Sequence, residues 1–106
     1  MSEIKHINQE EFENTIKNNK LVLIDFFATW CPPCKMIGPV LEELQDLIKD
    51  VLIVKMDVDL NEDLAKQFKI MNIPTLMLFK NGELVQKEIG VKDLAYLIDM
   101  VKTQLD

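Results

Sequence analysis

Leu21 to Phe27 reads LVLIDFF, an almost unbroken apolar run. It is too short for an ordinary helix and too apolar to keep one face in water. It predicts a strand buried on both faces. Such a strand needs sheet neighbours on both sides and a covering layer above and below. A second run of this kind, Val51 to Val58 (VLIVKMDV), lies further on. Between them a helix is expected to begin near Cys31 and run to about Lys49. Its apolar positions Ile37, Val40, Leu41, Leu44, Leu47 and Ile48 recur with helical period. Pro39 falls inside that helix and is expected to kink it. Strand, helix and strand make a parallel βαβ unit of right-handed crossover.

The remaining segments extend this frame. Ile4 to Ile7 reads as a short edge strand. Asn8 with Glu11 has the spacing of a capping box for a first helix, with Phe12 and Ile16 on its inner face and its end near Asn19. Asp59 with Glu62 is expected to cap another helix carrying Leu64 and Phe68. Thr75–Lys80 and Glu83–Ile89 flank Asn81-Gly82, a strong signal for a two-residue hairpin. After Gly90 a last helix shows Leu94, Leu97, Ile98, Val101 and Leu105 on one face. The order β-α-β-α-β-α-β-β-α implies an α/β fold, one mixed sheet with helices on both faces. Residues 1–106 read as one domain.

Composition removes several functions. The net charge is −6, and all twelve basic residues are lysine. An acidic surface without arginine disfavours nucleic acid and anionic membranes. No apolar run approaches the roughly 18 residues of a membrane span. The N-terminus lacks the pattern of a secretory signal, so a cytoplasmic location is expected. Two cysteines and one histidine are too few for a closed zinc site. No metal or cofactor is expected. The reading left for C-x-x-C beside a βαβ unit is a redox pair.

Trp30-Cys31-Pro32-Pro33-Cys34-Lys35 joins the end of a buried strand to a helix start. Helix amides there lack intrahelical partners and carry partial positive charge. A sulfur at that point is favoured as thiolate, the form that attacks disulfides. Cys31 is expected to be the exposed nucleophile. Cys34, about one turn on, can close a ring with it and is expected to point inward as the resolving thiol. Asp25 interrupts the central strand, so it must be hydrogen-bonded, paired or protonated, or else reach water at the strand end. Burial would raise its pKa toward useful proton transfer. Lys55 interrupts the next strand and either approaches Asp25 or snorkels outward. His6 reads as a surface residue without a partner. The six methionines read mostly as gap-fillers, with Met71 a soft contact for partners.

The chain resembles the thioredoxins along essentially its whole length. The resemblance rests on I-D-F-F-A-T-W-C-P-P-C-K-M, on Ile73-Pro74-Thr75, on L-F-K-N-G-E at 78–83, and on Gly90. In the thioredoxins such a C-x-x-C pair has a lowered thiol pKa. The resemblance implies that Asp25 assists proton transfer at the resolving cysteine and that Lys55 lies near that carboxylate. It implies that Pro74 is a cis-proline facing the cysteines and helping to hold an extended client segment. Trp30, Ile73, Gly90 and Val91 match the apolar rim that contacts partners. Three departures stand out. Pro32-Pro33 replaces the common Gly-Pro, so one donor to Cys31 is lost. Phe27 stands where tryptophan is frequent. Asn72 stands where glycine is common, which asks whether that backbone needs a positive φ.

A general protein-disulfide reductase is expected, monomeric, recharged by a thioredoxin reductase and acting on disulfide-containing client proteins. Three rivals stand beside it: a disulfide oxidase or isomerase, a redox-independent scaffold or binding module, and a metal site.

Overall fold

β2 (Leu21–Phe27) forms the centre of a five-stranded sheet because all seven of its residues are buried. The computed structural model describes residues 3–105. β3 (Leu52–Asp57) lies parallel to β2 on one side, and β1 (Lys5–His6) runs parallel to β3 at that edge. On the other side β4 (Thr75–Lys80) runs antiparallel to β2, and β5 (Glu83–Ile89) antiparallel to β4. The order is β1-β3-β2-β4-β5. Among the described residues four helices, α1 (Phe12–Asn18), α2 (Pro32–Leu47), α3 (Glu62–Gln67) and α4 (Leu94–Leu105), complete it.

Alternation along β2 divides the core in two. Leu21 and Leu23 pack with Ile37, Leu41 and Leu44 of α2 and with Leu97 and Val101 of α4. Val22, Ile24 and Phe26 pack on the other face with Phe12, Ile16 and Leu64 of α1 and α3. Asp25 follows Leu21 and Leu23 in the two-residue period, so it projects beneath α2. That single parity places a carboxyl group under the helix that begins at Pro32.

Several boundaries differ from expectation. The Asn8–Glu11 box forms reciprocally, with both bonds at 3.0 Å, but a turn intervenes and α1 starts at Phe12. Helix α2 ends at Leu47, and Leu47 is exposed because the inner stripe passes from Leu44 to Ile48. Asp59 does not cap α3. The amide of Leu64 instead donates to Oε1 of Gln9 at 3.0 Å, and Gln9 N–H donates to Oδ1 of Asn61 at 2.8 Å. A residue from the first turn of the chain thus satisfies the start of a helix far along it. Of the described methionines, Met56, Met77 and Met100 fill the core, whereas Met36 and Met71 are exposed.

Asn81 and Gly82 both have positive φ, 53° and 83°, as a primed hairpin turn requires. Gly82→Ala is expected to cost about 1–2 kcal/mol, read as a lower urea midpoint with unchanged slope. Asn72 does not have a positive φ. Lys69 does, at 54°, where its N–H and that of Ile70 close the end of α3 on Lys66 and Ala65.

Candidate active site

β2 delivers the chain at Phe27 to a short turn, and α2 starts at Pro32. Cys31 is the N-cap residue of that helix, and its sulfur accepts the N–H of Cys34 at 3.2 Å. Pro32 and Pro33 have no N–H to offer, so the Cys34 amide alone makes this cap. Cys31 and Cys34 are joined as a disulfide, with Cα atoms 5.3 Å apart. The two sulfurs sit in a small cluster with Phe27 and Ala28, flanked by Val58 and Ile73. The expected exposure of Cys31 is not found in this form: it is 2% exposed, and Cys34 is 3% exposed. Both lie under the same apolar cover. Burial therefore does not distinguish the two cysteines; the cap bond does.

Asp25 is fully buried, and among the described residues neither carboxylate oxygen has a hydrogen-bond partner. The possibility that it reaches water is excluded. It stands opposite Lys55 in the β2–β3 register. Burial pushes its carboxyl up from 3.8 to about 7, against the opposing pull of the Lys55 charge. A group poised near neutrality can both accept and return a proton. Lys55 is half-buried, with Nζ 4.7 Å from the centre of the Phe27 ring. A cavity of about 270 Å³ lined by Phe27, Thr29, Cys34, Lys35 and Lys55 opens this region.

The rim is built from three separate stretches. The Ile73–Pro74 bond is cis, and the Ile73 carbonyl oxygen lies 3.8 Å from Cys31 Sγ. That sulfur carries no proton in the disulfide form, so this is a contact. Gly90, at φ 90°, donates its N–H to the Pro74 carbonyl at 2.8 Å, which ties the second stretch to the first. Val91 follows, exposed. Trp30 is 67% exposed, yet its indole N–H donates to Asp59 at 2.8 Å. Asp59 was read from the sequence only as a helix cap, and no local signal links it to Trp30. His6 is exposed as expected but does have a partner: its ring stands edge-on to Phe27 at 5.4 Å. Met71, two residues before Ile73, is 88% exposed. Among the described residues no group of three or more His, Cys, Asp or Glu is placed to hold a metal ion. No helix among them is long and apolar enough to cross a membrane.

A sulfur pair that opens and closes at a helix start trades its disulfide for those of other molecules. Fold and site together define a thiol–disulfide oxidoreductase. Comparison with known proteins narrows the class. The thioredoxin family model matches residues 3–103. A thioredoxin from Haemophilus influenzae is 43% identical over 107 aligned residues, covering 99% of this chain and all of that one. A bifunctional thioredoxin reductase/thioredoxin from Mycobacterium leprae is 46% identical over 82% of this chain and 19% of its own length. A chain from a structure on the thiol resolving mechanism of a yeast mitochondrial 1-Cys peroxiredoxin through the glutathione/thioredoxin systems superposes with TM-score 0.88. It is 40% identical, over 96% of this chain and 99% of that one. This chain belongs to the thioredoxin family, and its activity is that of a thiol–disulfide reductase.

Proposed function

We propose that this chain is a general protein-disulfide reductase in which Cys31 attacks and Cys34 resolves, with residues 1–106 forming one monomeric domain. The observation that carries the assignment is the Cys34 N–H directed at Cys31 Sγ. It stabilises negative charge on Cys31 and not on Cys34. Cys31 thiolate attacks one sulfur of a client disulfide, and the other client sulfur leaves as a thiolate. Cys34 then gives its proton to the Asp25 carboxylate and attacks Cys31. The second client thiolate leaves, and the Cys31–Cys34 disulfide forms. Two electrons have passed to the client. Lys55 keeps Asp25 low enough to be ionised in part at neutral pH.

The client segment lies across Trp30, Ile73, Gly90 and Val91. The exposure of Trp30 and Val91 supports this, as does the Ile73 carbonyl beside Cys31, which offers a strand-like contact. Pro32 and Pro33 shape the helix start, and Pro74 the facing loop. A thioredoxin reductase returns the electrons, a reading supported by the Mycobacterium leprae relative whose name joins both functions. Clients are proteins with disulfides formed in turnover; the peroxiredoxin system of the yeast structure is one model. A cytoplasmic location fits this reducing role.

The test is the redox potential of the pair, titrated against a dithiol buffer with alkylation to count thiols. A value below the glutathione poise supports the reading. One well above it assigns an oxidase or isomerase and removes the cytoplasmic location. Pro32→Gly adds an amide donor toward Cys31. It is expected to lower the pH at which Cys31 alkylates and to raise the potential, because a stabilised thiolate favours the reduced form. Unchanged values in both assays would refute that role for Pro32.

A further inference from the structure

Lys55 stands where two cavities meet. One is the cavity of about 270 Å³ that reaches Cys34 and Lys35. The other, about 250 Å³, is lined by Glu3, Ile4, His6, Gly38, Glu42 and Lys55 itself. A lysine stem is flexible enough to send its ammonium into either. The second offers two carboxylates, Glu3 and Glu42, and Coulomb attraction alone would draw the charge there. The ammonium lies over Phe27 instead, and among the described residues Lys55 makes no ion pair.

His6 supplies a reason. It stands directly opposite Lys55 in the β1–β3 register. Its ring meets Phe27 edge-on, with centroids 5.4 Å apart and planes at 90°. Imidazole and ammonium therefore share one aromatic ring, and the imidazole also walls the cavity that holds Glu3 and Glu42. We infer that His6 is a positioning residue that, with Phe27, confines the Lys55 ammonium to the Asp25 side of the two cavities and so sets the field at the buried carboxyl group. The charged groups around it are Lys55 of β3, Glu3 ahead of β1 and Glu42 of α2, with Lys35 in the neighbouring cavity. Losing the imidazole frees the stem to swing toward Glu3 and Glu42. The positive charge then recedes from Asp25, whose ionisation becomes harder.

This inference rests on the reading of Lys55 as the charge that tunes Asp25, and the test separates the two. The titration midpoint of Asp25 is followed by carboxyl ¹³C NMR in the disulfide form, so that no thiol titrates. His6 is exposed on a two-residue edge strand, so its variants retain the core. His6→Ala is expected to raise the midpoint by roughly half a pH unit. His6→Phe, which keeps a ring against Phe27, is expected to restore it. In a Lys55→Met background His6→Ala is expected to have no effect. If Lys55→Met alone leaves the midpoint unmoved, the tuning role of Lys55 fails. If Lys55→Met moves it and His6→Ala does not, or His6→Phe does not restore it, only the positioning role of His6 is overturned.

Discussion

At pH 8 the Asp25→Asn protein is expected to be more stable than the parent. The reason is the sign of the linkage. Folding raises the Asp25 carboxyl from 3.8 to about 7. The folded state therefore holds a proton that the unfolded state has released, and stability falls as pH rises through that interval. Above 7 the folded protein must carry a buried charge. The difference amounts to about 4 kcal/mol once both states are ionised. Asparagine removes the charge but keeps a buried polar group, so a net gain of about 3 kcal/mol is expected. In a domain of this size that raises the melting temperature by roughly 15 °C. The gap between variant and parent should narrow below pH 7 and close between about pH 4 and 5, where the linkage has fallen to the roughly 1 kcal/mol cost of the buried amide. A gap that does not depend on pH would show that ionisation is not its cause. In the proposed mechanism the same substitution also removes the base that serves Cys34. Client release is expected to slow by roughly 100-fold or more. The proposed role of Asp25 in proton transfer gives the chain a reason to keep a destabilising group at its centre.

Cys34→Ser is expected to leave the first half of the reaction intact and abolish the second. Cys31 still attacks, since its charge is favoured by the backbone N–H of residue 34, which serine retains. The mixed disulfide then waits for an external thiol. Well-oriented intramolecular attack corresponds to effective concentrations of roughly 10⁵ M or more, against millimolar thiol outside. The covalent complex should persist on a non-reducing gel and dissolve on adding dithiol. Cys31→Ser should give no complex at all. If instead Cys31→Ser traps the client through Cys34, the two roles are reversed.

The central βαβ unit was legible because both of its strands are apolar on two faces, a pattern that few other structures satisfy. The hairpin was legible because Asn81-Gly82 supplies two residues tolerant of positive φ. Cys31 and Cys34 were legible from their C-x-x-C spacing at a strand-to-helix junction, and Asp25 as a charged interruption of a buried strand. What escaped depends on contacts between distant segments. Gln9 caps α3 from 55 residues away, which no local capping pattern encodes. Asp59 looked like a helix cap because its spacing to Glu62 is right, but the indole of Trp30 takes its carboxylate. His6 has an ordinary setting in its own segment, and its aromatic partner comes from the end of β2. The exposure of Cys31 was misjudged because helix-cap position says nothing about what covers a closed disulfide.

The pairing of β1 with β3 and the reach of Gln9 to Leu64 bear on how the chain leaves the ribosome. Residues 5–9 wait for partners some fifty positions further along, at 54–64. At roughly 5–20 residues per second, that wait lasts several seconds. β2 is a further stage behind, since its second flank is completed only when residues 75–80 arrive. The hairpin of β4 and β5, by contrast, can close as soon as it emerges. Pairing of β1 and β2 therefore lags their own synthesis, whereas β4 finds its partner β5 in the segment that follows it.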